Sequence, residues 1–333
     1  MIIETLQEQV TKAIMGGAFS GIASLASLPV SDYVLPIYVQ VEATTKCNLR
    51  CTTCRRTNEI NSDIALDLFE AIVDEFRKSK FIPRRLDLTG LGEPLLNPNV
   101  VDMVEHARKF GFRVSLTTNL AFLDKDSATR LIKSGLDYLY VSFDGASKAT
   151  FEKIRVGSDF EKVVDNIRQF VMTRKGLNSK SPKLLFESTI SECNAKEVRQ
   201  IVELAESLEV DGVYFFRQIA RGKQDYRNDY FATQNWEDLA DCKIEIQASS
   251  PEKSPRPCVG VIGCYITFDG KVLQCNRLIQ TLSREEYSRF QFGDLNENSL
   301  SEIWFSDSYR QFRNRVALGM WPSLCKSCPT ASY

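Results

Sequence analysis

The chain has 333 residues, and its 42 lysines and arginines against 43 aspartates and glutamates give a formal net charge of −1. Hydrophobic residues make up 43% and charged residues 26%, a balance that excludes a disordered or fibrous chain and provides for a large core. Without an excess of positive charge, we expect no binding to nucleic acid or to a membrane surface. The single histidine, His106, excludes histidine-rich metal sites and argues against histidine-based acid–base catalysis.

Residues 1–35 are predicted to form a helical lead-in to the first strand. They lack the basic segment of a secretory signal, and residues 13–30, although uncharged, contain too many Gly, Pro and Ser for a membrane span. The ten cysteines are too widely spaced for a disulfide scaffold. We therefore expect a cytoplasmic protein whose reduced thiols bind metal.

Between residues 36 and 220, short β-rich runs alternate with segments of helical apolar spacing. This alternation predicts an α/β fold with a parallel sheet, either open or partly closed into a barrel. In such folds the functional side chains lie at the carboxyl ends of the strands. The predicted strands are Ile37–Glu42, Leu86–Thr89, Phe112–Leu116, Tyr138–Phe143, Leu184–Ile190 and Val213–Phe216.

Residues 221–257 are polar and rich in Pro and Ser, which predicts a linker or loop. Residues 258–333 are predicted to form a second, smaller domain. There, an Asp-Gly pair between the apolar runs Tyr265–Phe268 and Lys271–Leu273 indicates a β-hairpin, and the apolar spacing of residues 299–316 indicates one helix.

Three cysteines, Cys47, Cys51 and Cys54, follow directly after the first predicted strand. Three thiolates of one loop can converge on a metal cluster, but they are too few for a closed zinc site, and no histidine is near to complete one. A 4Fe–4S cluster bound by three thiolates leaves one iron open for a substrate or cofactor. A fragment of a zinc knuckle is the alternative.

The C-x3-C-x2-C spacing at this position resembles the radical S-adenosylmethionine (SAM) superfamily. The resemblance covers residues 36–217 and implies the partial (βα)6 barrel of that family. It also implies that the open iron binds the amino and carboxylate groups of SAM, and that the reduced cluster cleaves SAM to a 5′-deoxyadenosyl radical, which abstracts a hydrogen atom from the substrate. A flavodoxin or ferredoxin is the implied electron donor, and oxygen sensitivity is expected.

Further segments are similar to SAM-binding positions of the same family. Residues 90–94 (Gly-Leu-Gly-Glu-Pro) resemble its Gly-Gly-Glu-Pro segment, with Leu91 in place of the first glycine. Polar groups at the ends of the third and fourth strands suit the ribose and carboxylate of SAM, and a following arginine suits that carboxylate. A helix N-cap or a surface ion pair would explain the same groups equally well. The implied SAM-binding residues are Gly90, Gly92, Glu93, Pro94, Thr118, Asn119, Ser142, Asp144 and Arg155.

The cysteines of the C-terminal segment resemble an auxiliary-cluster domain called SPASM or, in its reduced form, twitch. A full SPASM module holds two clusters on seven cysteines, so that the smaller number here implies one auxiliary 4Fe–4S cluster. Four thiolates would also suit structural zinc. The implied ligands are Cys258, Cys275, Cys325 and Cys328.

Two more residues are candidates for catalytic roles. Cys264, on the predicted hairpin, could replace Cys258 as a ligand, donate a hydrogen atom to a substrate radical, or simply be a small buried side chain. Arg217, at the end of the sixth strand, could bind an anionic substrate group or assist deprotonation. A solvated arginine would give the same sequence.

The sequence leaves the substrate open. Enzymes that resemble this layout often act on peptides. Our first hypothesis is therefore the rearrangement, cross-linking or epimerisation of a ribosomally made peptide or protein in natural-product maturation, with leader recognition by a separate protein. The alternative is a dehydrogenase or epimerase of a sugar or aminocyclitol. A non-catalytic metal-cluster scaffold is disfavoured, because a scaffold has no need for an open iron.

Overall fold

A computed structural model describes residues 35–54, 60–78, 84–218, 229–248 and 258–325. The described strands are β1 (Tyr38–Val41), β2 (Arg84–Leu88), β3 (Phe112–Thr118), β4 (Tyr138–Ser142), β5 (Lys183–Ile190), β6 (Gly212–Arg217), β7 (Glu245–Ala248), β8 (Gly263–Ile266), β9 (Lys271–Leu273) and β10 (Gly293–Asp294). They form one sheet with the order β10-β9-β8-β1-β2-β3-β4-β5-β6-β7.

The described α-helices are α1 (Leu66–Asp74), α2 (Val100–Lys109), α3 (Lys125–Lys133), α4 (Lys148–Ile154), α5 (Phe160–Gly176), α6 (Val198–Ser207), α7 (Val259–Ile262), α8 (Arg277–Thr281), α9 (Arg284–Tyr287), α10 (Leu300–Trp304) and α11 (Asp307–Ala317). Short 3-10 helices span Glu75–Lys78, Pro94–Leu96, Trp236–Leu239, Ser288–Phe290 and Ser323–Cys325. No helix in the described ranges is long and apolar enough to cross a membrane.

Strands β1 to β7 pair in parallel with their neighbours, as the repeated strand–helix pattern predicts. Along β1 to β6, alternate side chains face the helices and are mostly apolar and fully buried, so that this face carries the core. The opposite side chains face the interior of a partial barrel, and many are polar. Core residues on the helix-facing side include Val39, Val41, Leu86, Leu88, Val114, Leu116, Phe186 and Phe215.

The C-terminal hairpin continues the barrel sheet. Strand β8 pairs in parallel with β1, with Gly263 beside Tyr38 and Ile266 beside Val41, and β9 pairs antiparallel with β8. A Cβ atom at Gly263 would lie 2.3 Å from the carbonyl oxygen of Tyr38, so that only glycine fits this approach. The predicted second domain is thus joined to the barrel through backbone hydrogen bonds.

The structure confirms the predicted α/β class and corrects three details. Part of the predicted linker, residues 229–248, contains a 3-10 helix and strand β7, which pairs with β6. This short edge strand has no fully buried side chain, so that its sequence carries little apolar signal. The predicted helix 299–316 is two helices, because Ser306 caps the second one by accepting a hydrogen bond from Tyr309 N. The residues that the structure describes before the hairpin form seven parallel strands rather than six.

Candidate functional site

The loop of the first three cysteines lies at the carboxyl end of β1. Two backbone hydrogen bonds fix it to the chain at the end of α4, from Arg50 N to Val156 O at 2.9 Å and from Thr52 N to Ile154 O at 2.8 Å. These hydrogen bonds hold the loop at the carboxyl ends of the parallel strands, which is where the active sites of α/β folds lie.

The three thiols of this loop lie close enough to interact electrostatically, and each is partly accessible. Burial raises the pKa of the Cys51 thiol, while the Arg155 guanidinium, whose Nη1 is 3.9 Å from Cys51 Sγ, opposes that rise. Within the described ranges, no three His, Cys, Asp or Glu side chains have the close spacing that a single metal ion needs. A 4Fe–4S cluster takes each thiolate at a different iron atom and therefore takes them farther apart.

Arg155 is held against this loop by a buried ion pair. Its Nη2 lies 2.6 Å from Asp144 Oδ2; the Asp144 side chain is 0% exposed and that of Arg155 14% exposed. Asp144 also accepts a hydrogen bond from Thr189 N at 2.7 Å. Its carboxylate is thus directed at protein groups, and we assign it the role of positioning Arg155. Arg155 Nε is buried without a hydrogen-bond partner in the described part of the chain, so that it offers a donor suited to a carboxylate such as that of SAM.

The glycine-containing segment after β2 packs directly on the cysteine loop. Glu93 N donates to Lys46 O at 2.7 Å. A Cβ atom at Gly92 would lie 2.1 Å from the carbonyl oxygen of Thr44, so that only glycine permits this contact, and Pro94 is buried beside it. Gly92 therefore allows the segment after β2 to pack against the cysteine loop, independently of any contact that it makes with SAM.

Replacing Gly92 with alanine is expected to lower the free energy of unfolding by about 2 kcal/mol, because the methyl group overlaps backbone that cannot move aside freely. Urea unfolding would measure the change. Gly176→Ala is the matched control, because nothing lies within 4 Å of a Cβ atom at Gly176. Equal stabilities of the two variants would contradict the packing argument.

Glu93 joins three segments of the site. Its carboxylate accepts hydrogen bonds from Leu95 N at 3.1 Å, Thr118 Oγ1 at 2.6 Å and Asn119 N at 2.6 Å. Burial raises the pKa of Glu93, and these hydrogen bonds oppose the rise. Asn119 Nδ2 in turn donates to Asn48 Oδ1 in the cysteine loop at 2.9 Å. The structure therefore brings the predicted residues of the second and third strand ends into one network with the cysteine loop.

The sequence reasoning missed Glu42, the residue after β1. Its Oε1 accepts from Leu91 N at 3.1 Å and its Oε2 from Phe268 N at 3.4 Å, so that one carboxylate joins the glycine-containing segment to the C-terminal hairpin. A Cβ atom at Gly90 would lie 2.5 Å from Glu42 Cγ, which explains the glycine there. Burial raises the pKa of Glu42 to about 7. The sequence contained an indication of this role, because Glu42 is a carboxylate that directly follows the buried strand Tyr38–Val41.

Replacing Glu42 with glutamine is expected to weaken SAM binding about tenfold, because the amide NH2 must face one of two N–H donors. Equilibrium binding to the anaerobically reconstituted protein would measure it. Glu75→Gln is the matched control, since Glu75 also reaches the C-terminal region, at Leu300 N and Ser301 N, but its described contacts do not include the glycine-containing segment. Equal loss of affinity in both variants would contradict a specific role for Glu42.

The barrel interior below the strand ends is polar, which the sequence reasoning also missed. Asp87 accepts hydrogen bonds from Tyr38 OH at 2.7 Å, Arg85 Nε at 2.9 Å and the Ser115 hydroxyl. Arg85 also donates to Tyr140 OH at 3.2 Å. Ser142, predicted to contact SAM, lies at the end of β4 and is partly exposed on this same face. The charged residues Arg85 and Asp87 within strand β2 were the signal in the sequence that could have predicted this polar interior.

Three cysteines of the C-terminal region lie around the buried Tyr309 hydroxyl, which interacts electrostatically with Cys258, Cys264 and Cys275. Cys325 ends a 3-10 helix in the same region, and Cys328 lies outside the described residues. The buried Cys264 side chain belongs to the helix-facing core, next to Val39 in register, and not to the barrel interior. This placement favours a structural or auxiliary-site role over the hydrogen donor that the sequence left open.

Arg217 lies at the carboxyl end of β6, as predicted. Its Nη1 is 3.0 Å from Asp229 Oδ2, and its guanidinium carbon is 5.6 Å from the centre of the Phe231 ring. Arg217 is therefore held by the segment between β6 and β7. Because its guanidinium already pairs with Asp229, these contacts do not favour the binding of a substrate anion by Arg217.

The fold and the site define an α/β protein that gathers three thiols of one loop at the carboxyl end of a parallel barrel. Residues 41–174 match the family model of the radical SAM superfamily, and residues 258–329 match that of an iron–sulfur cluster-binding domain, SPASM. The chain therefore belongs to the radical SAM superfamily and carries a C-terminal SPASM region. Its cofactors are accordingly SAM, the 4Fe–4S cluster that binds SAM, and an auxiliary cluster.

The similarity to several other proteins extends over most of the chain. The tungsten-containing aldehyde ferredoxin oxidoreductase cofactor-modifying protein of Pyrococcus furiosus is 26% identical, over 87% of this chain and 86% of that protein. The AdoMet-dependent heme synthase of Methanosarcina barkeri is 23% identical, over 90% of this chain and 92% of that protein. The structure of Streptococcus suis SuiB bound to precursor peptide SuiA has a TM-score of 0.68 at 13% identity, covering 94% of this chain and 74% of that chain. The structural likeness shows the shared fold.

Proposed function

We propose that this enzyme removes a hydrogen atom from a polar substrate enclosed in the barrel. The observation that supports the proposal is that the cysteine loop lies directly next to the polar side chains of the barrel interior. The cysteine loop with Arg155 lies at the carboxyl ends of the strands, and the partly accessible polar side chains of the interior begin directly below, at Ser142.

The described residues fit the cofactors of the superfamily. Cys47, Cys51 and Cys54 would hold three irons of the cluster, Arg155 Nε would donate to the SAM carboxylate, and Glu93 keeps the surrounding strand ends in place. When bound, cluster and SAM supply a carbon radical that takes a hydrogen atom from the substrate. The protein's own contribution is to orient SAM and to keep the substrate inside the barrel. A flavodoxin or ferredoxin would deliver the electron.

The interior favours a small-molecule substrate. Its charged groups and hydroxyls, among them Arg85, Asp87 and Tyr140, are suited to a compact molecule with several polar groups. Two of the similar proteins, a cofactor-modifying protein and a heme synthase, support the same class. A dehydrogenase or epimerase reaction on such a molecule is the form that we propose.

A peptide or protein substrate is the second candidate. Phe216, on the inward face near the end of β6, is 41% exposed and offers an apolar surface at the opening of the barrel. An extended chain crossing this opening would cover it and place one side chain inside. SuiB, bound to its precursor peptide, has the same overall fold. Under this alternative a separate protein would recognise the leader.

Deuterium transfer would separate the two substrate classes. Cells of the source organism are grown in deuterated medium, and their metabolite and peptide fractions are incubated separately with the reconstituted enzyme, SAM and dithionite. Deuterium in 5′-deoxyadenosine with the metabolite fraction supports the small-molecule proposal, and with the peptide fraction the second candidate. Transfer from neither fraction above a Cys51→Ala background would contradict the proposed hydrogen abstraction.

A further inference from the structure

Glu187 points into the barrel from the middle of strand β5. Its neighbours Phe186 and Ser188 are fully buried on the other face of β5, where the Phe186 ring stacks on Phe143 with centroids 4.4 Å apart. In register, Glu187 lies between Ser142 of β4 and Tyr214 of β6. It is therefore next to the position at which the strand ends meet the SAM site.

The charges of the interior leave Glu187 without a cation of its own. Arg85 pairs with Asp87, and Arg155 pairs with Asp144. Among the described residues, none forms an ion pair with Glu187. Burial raises the pKa of Glu187 to about 7, the Asp87 charge adds to this rise, and Arg85, the Thr117 hydroxyl and Arg155 oppose it. The interior thus has a partly accessible carboxyl group that forms no ion pair with any described residue.

Glu187 lies among partly accessible side chains and next to an aromatic residue in register. Glu187, Ser142, Thr189 and Tyr214 are partly accessible although they lie on the inner face of the sheet. The Tyr140 and Tyr214 rings meet edge to face with centroids 5.8 Å apart. A carboxylate beside aromatic rings is the combination that binds an ammonium group, through charge-assisted hydrogen bonds and cation–π contacts.

We propose that Glu187 binds a protonated amine of the substrate inside the barrel. The inference rests on the proposed function, because it takes the barrel interior as the substrate site. An ammonium group supplies both the donors and the charge that the pocket lacks, whereas an alcohol would supply only a donor. The substrate is therefore an amine, either an amino-substituted small molecule or, under the second candidate, a lysine-type side chain.

The experiment uses propylamine as the probe, with propionate and 1-propanol as isosteres of opposite and zero charge. Ligand-detected saturation-transfer NMR is recorded on the SAM-bound, oxidised holoenzyme at pH 7. We expect wild type to bind propylamine in preference to both isosteres, and Glu187→Gln to lose that preference. Asp165→Asn, which alters an exposed carboxylate on α5, should keep it. A preference for propionate, unchanged amine binding in Glu187→Gln, or no binding of any probe to wild type would overturn the proposal.

A second readout separates binding from a merely structural effect. Saturating propylamine should shift Glu187 toward the ionised form, seen as a weaker protonated-carboxyl infrared band in wild type and no such change in Glu187→Gln. Glu187→Asp should retain part of the amine preference, whereas no difference from Glu187→Gln would count against a charge role. Formation of 5′-deoxyadenosine is followed in the same preparations. Its absence in wild type would contradict the proposed function, while the amine result decides the role of Glu187 independently.

Discussion

Replacing Cys51 with alanine is expected to abolish 5′-deoxyadenosine formation from SAM and to remove about half of the bound iron. The reason is that we propose Cys51 as one of the three protein ligands of the SAM-binding cluster, whereas the auxiliary cluster keeps its ligands. Anaerobic reconstitution, iron analysis and product quantification after dithionite reduction would measure both effects. The result would place radical initiation at the first cysteine loop.

Cys193→Ala is the matched control for this substitution, because Cys193 is an exposed free cysteine outside both cysteine groups. It should retain full iron content and product formation. Product from Cys51→Ala at the wild-type rate would mean that the cluster is bound elsewhere. Loss of both clusters would mean that the two cysteine regions do not fold independently around their metal.

The sequence was sufficient for the architecture and for the cysteine loop, for identifiable reasons. Buried parallel strands such as Tyr138–Ser142 give nearly continuous apolar and aromatic runs, and the amphipathic helices between the strands keep a regular spacing. Cysteine spacing within one loop is local, so that Cys47, Cys51 and Cys54 can be assigned to one site without a structure. The edge strand Glu245–Ala248 lacks both signals, because it is short and has no fully buried side chain.

The contacts among the other site residues depend on distant parts of the chain and could not be read from local pattern. Asp144 and Thr189 are 45 residues apart, and Glu42 and Phe268 are 226 apart. The sequence identified Asp144 and Glu93 as polar groups at strand ends, but not that protein donors occupy their carboxylates. Similarly, the direction of the Cys264 side chain follows from the pairing of β8 with β1, which no local motif signals.

Replacing Asp144 with asparagine is expected to lower the free energy of unfolding by about 3 kcal/mol, because it leaves the Arg155 guanidinium buried without its counter-charge. Urea unfolding would measure this loss. The control is Asp165→Asn, which breaks an ion pair with Arg168 whose side chains are both more than half exposed, and which should change stability by less than about 0.5 kcal/mol.

The double variant Asp144→Leu/Arg155→Met distinguishes stability from function at this ion pair. Apolar side chains of similar size remove both buried charges together, so that most of the lost stability should return. The donor that we assign to the SAM carboxylate is then missing, and 5′-deoxyadenosine formation should remain at least tenfold below wild type, with SAM affinity reduced in parallel. Turnover by this variant at the wild-type rate would show that Arg155 only neutralises the buried charge of Asp144 and is not needed for SAM. Restored stability without turnover would establish that the pair is kept because Asp144 holds Arg155 in place for SAM.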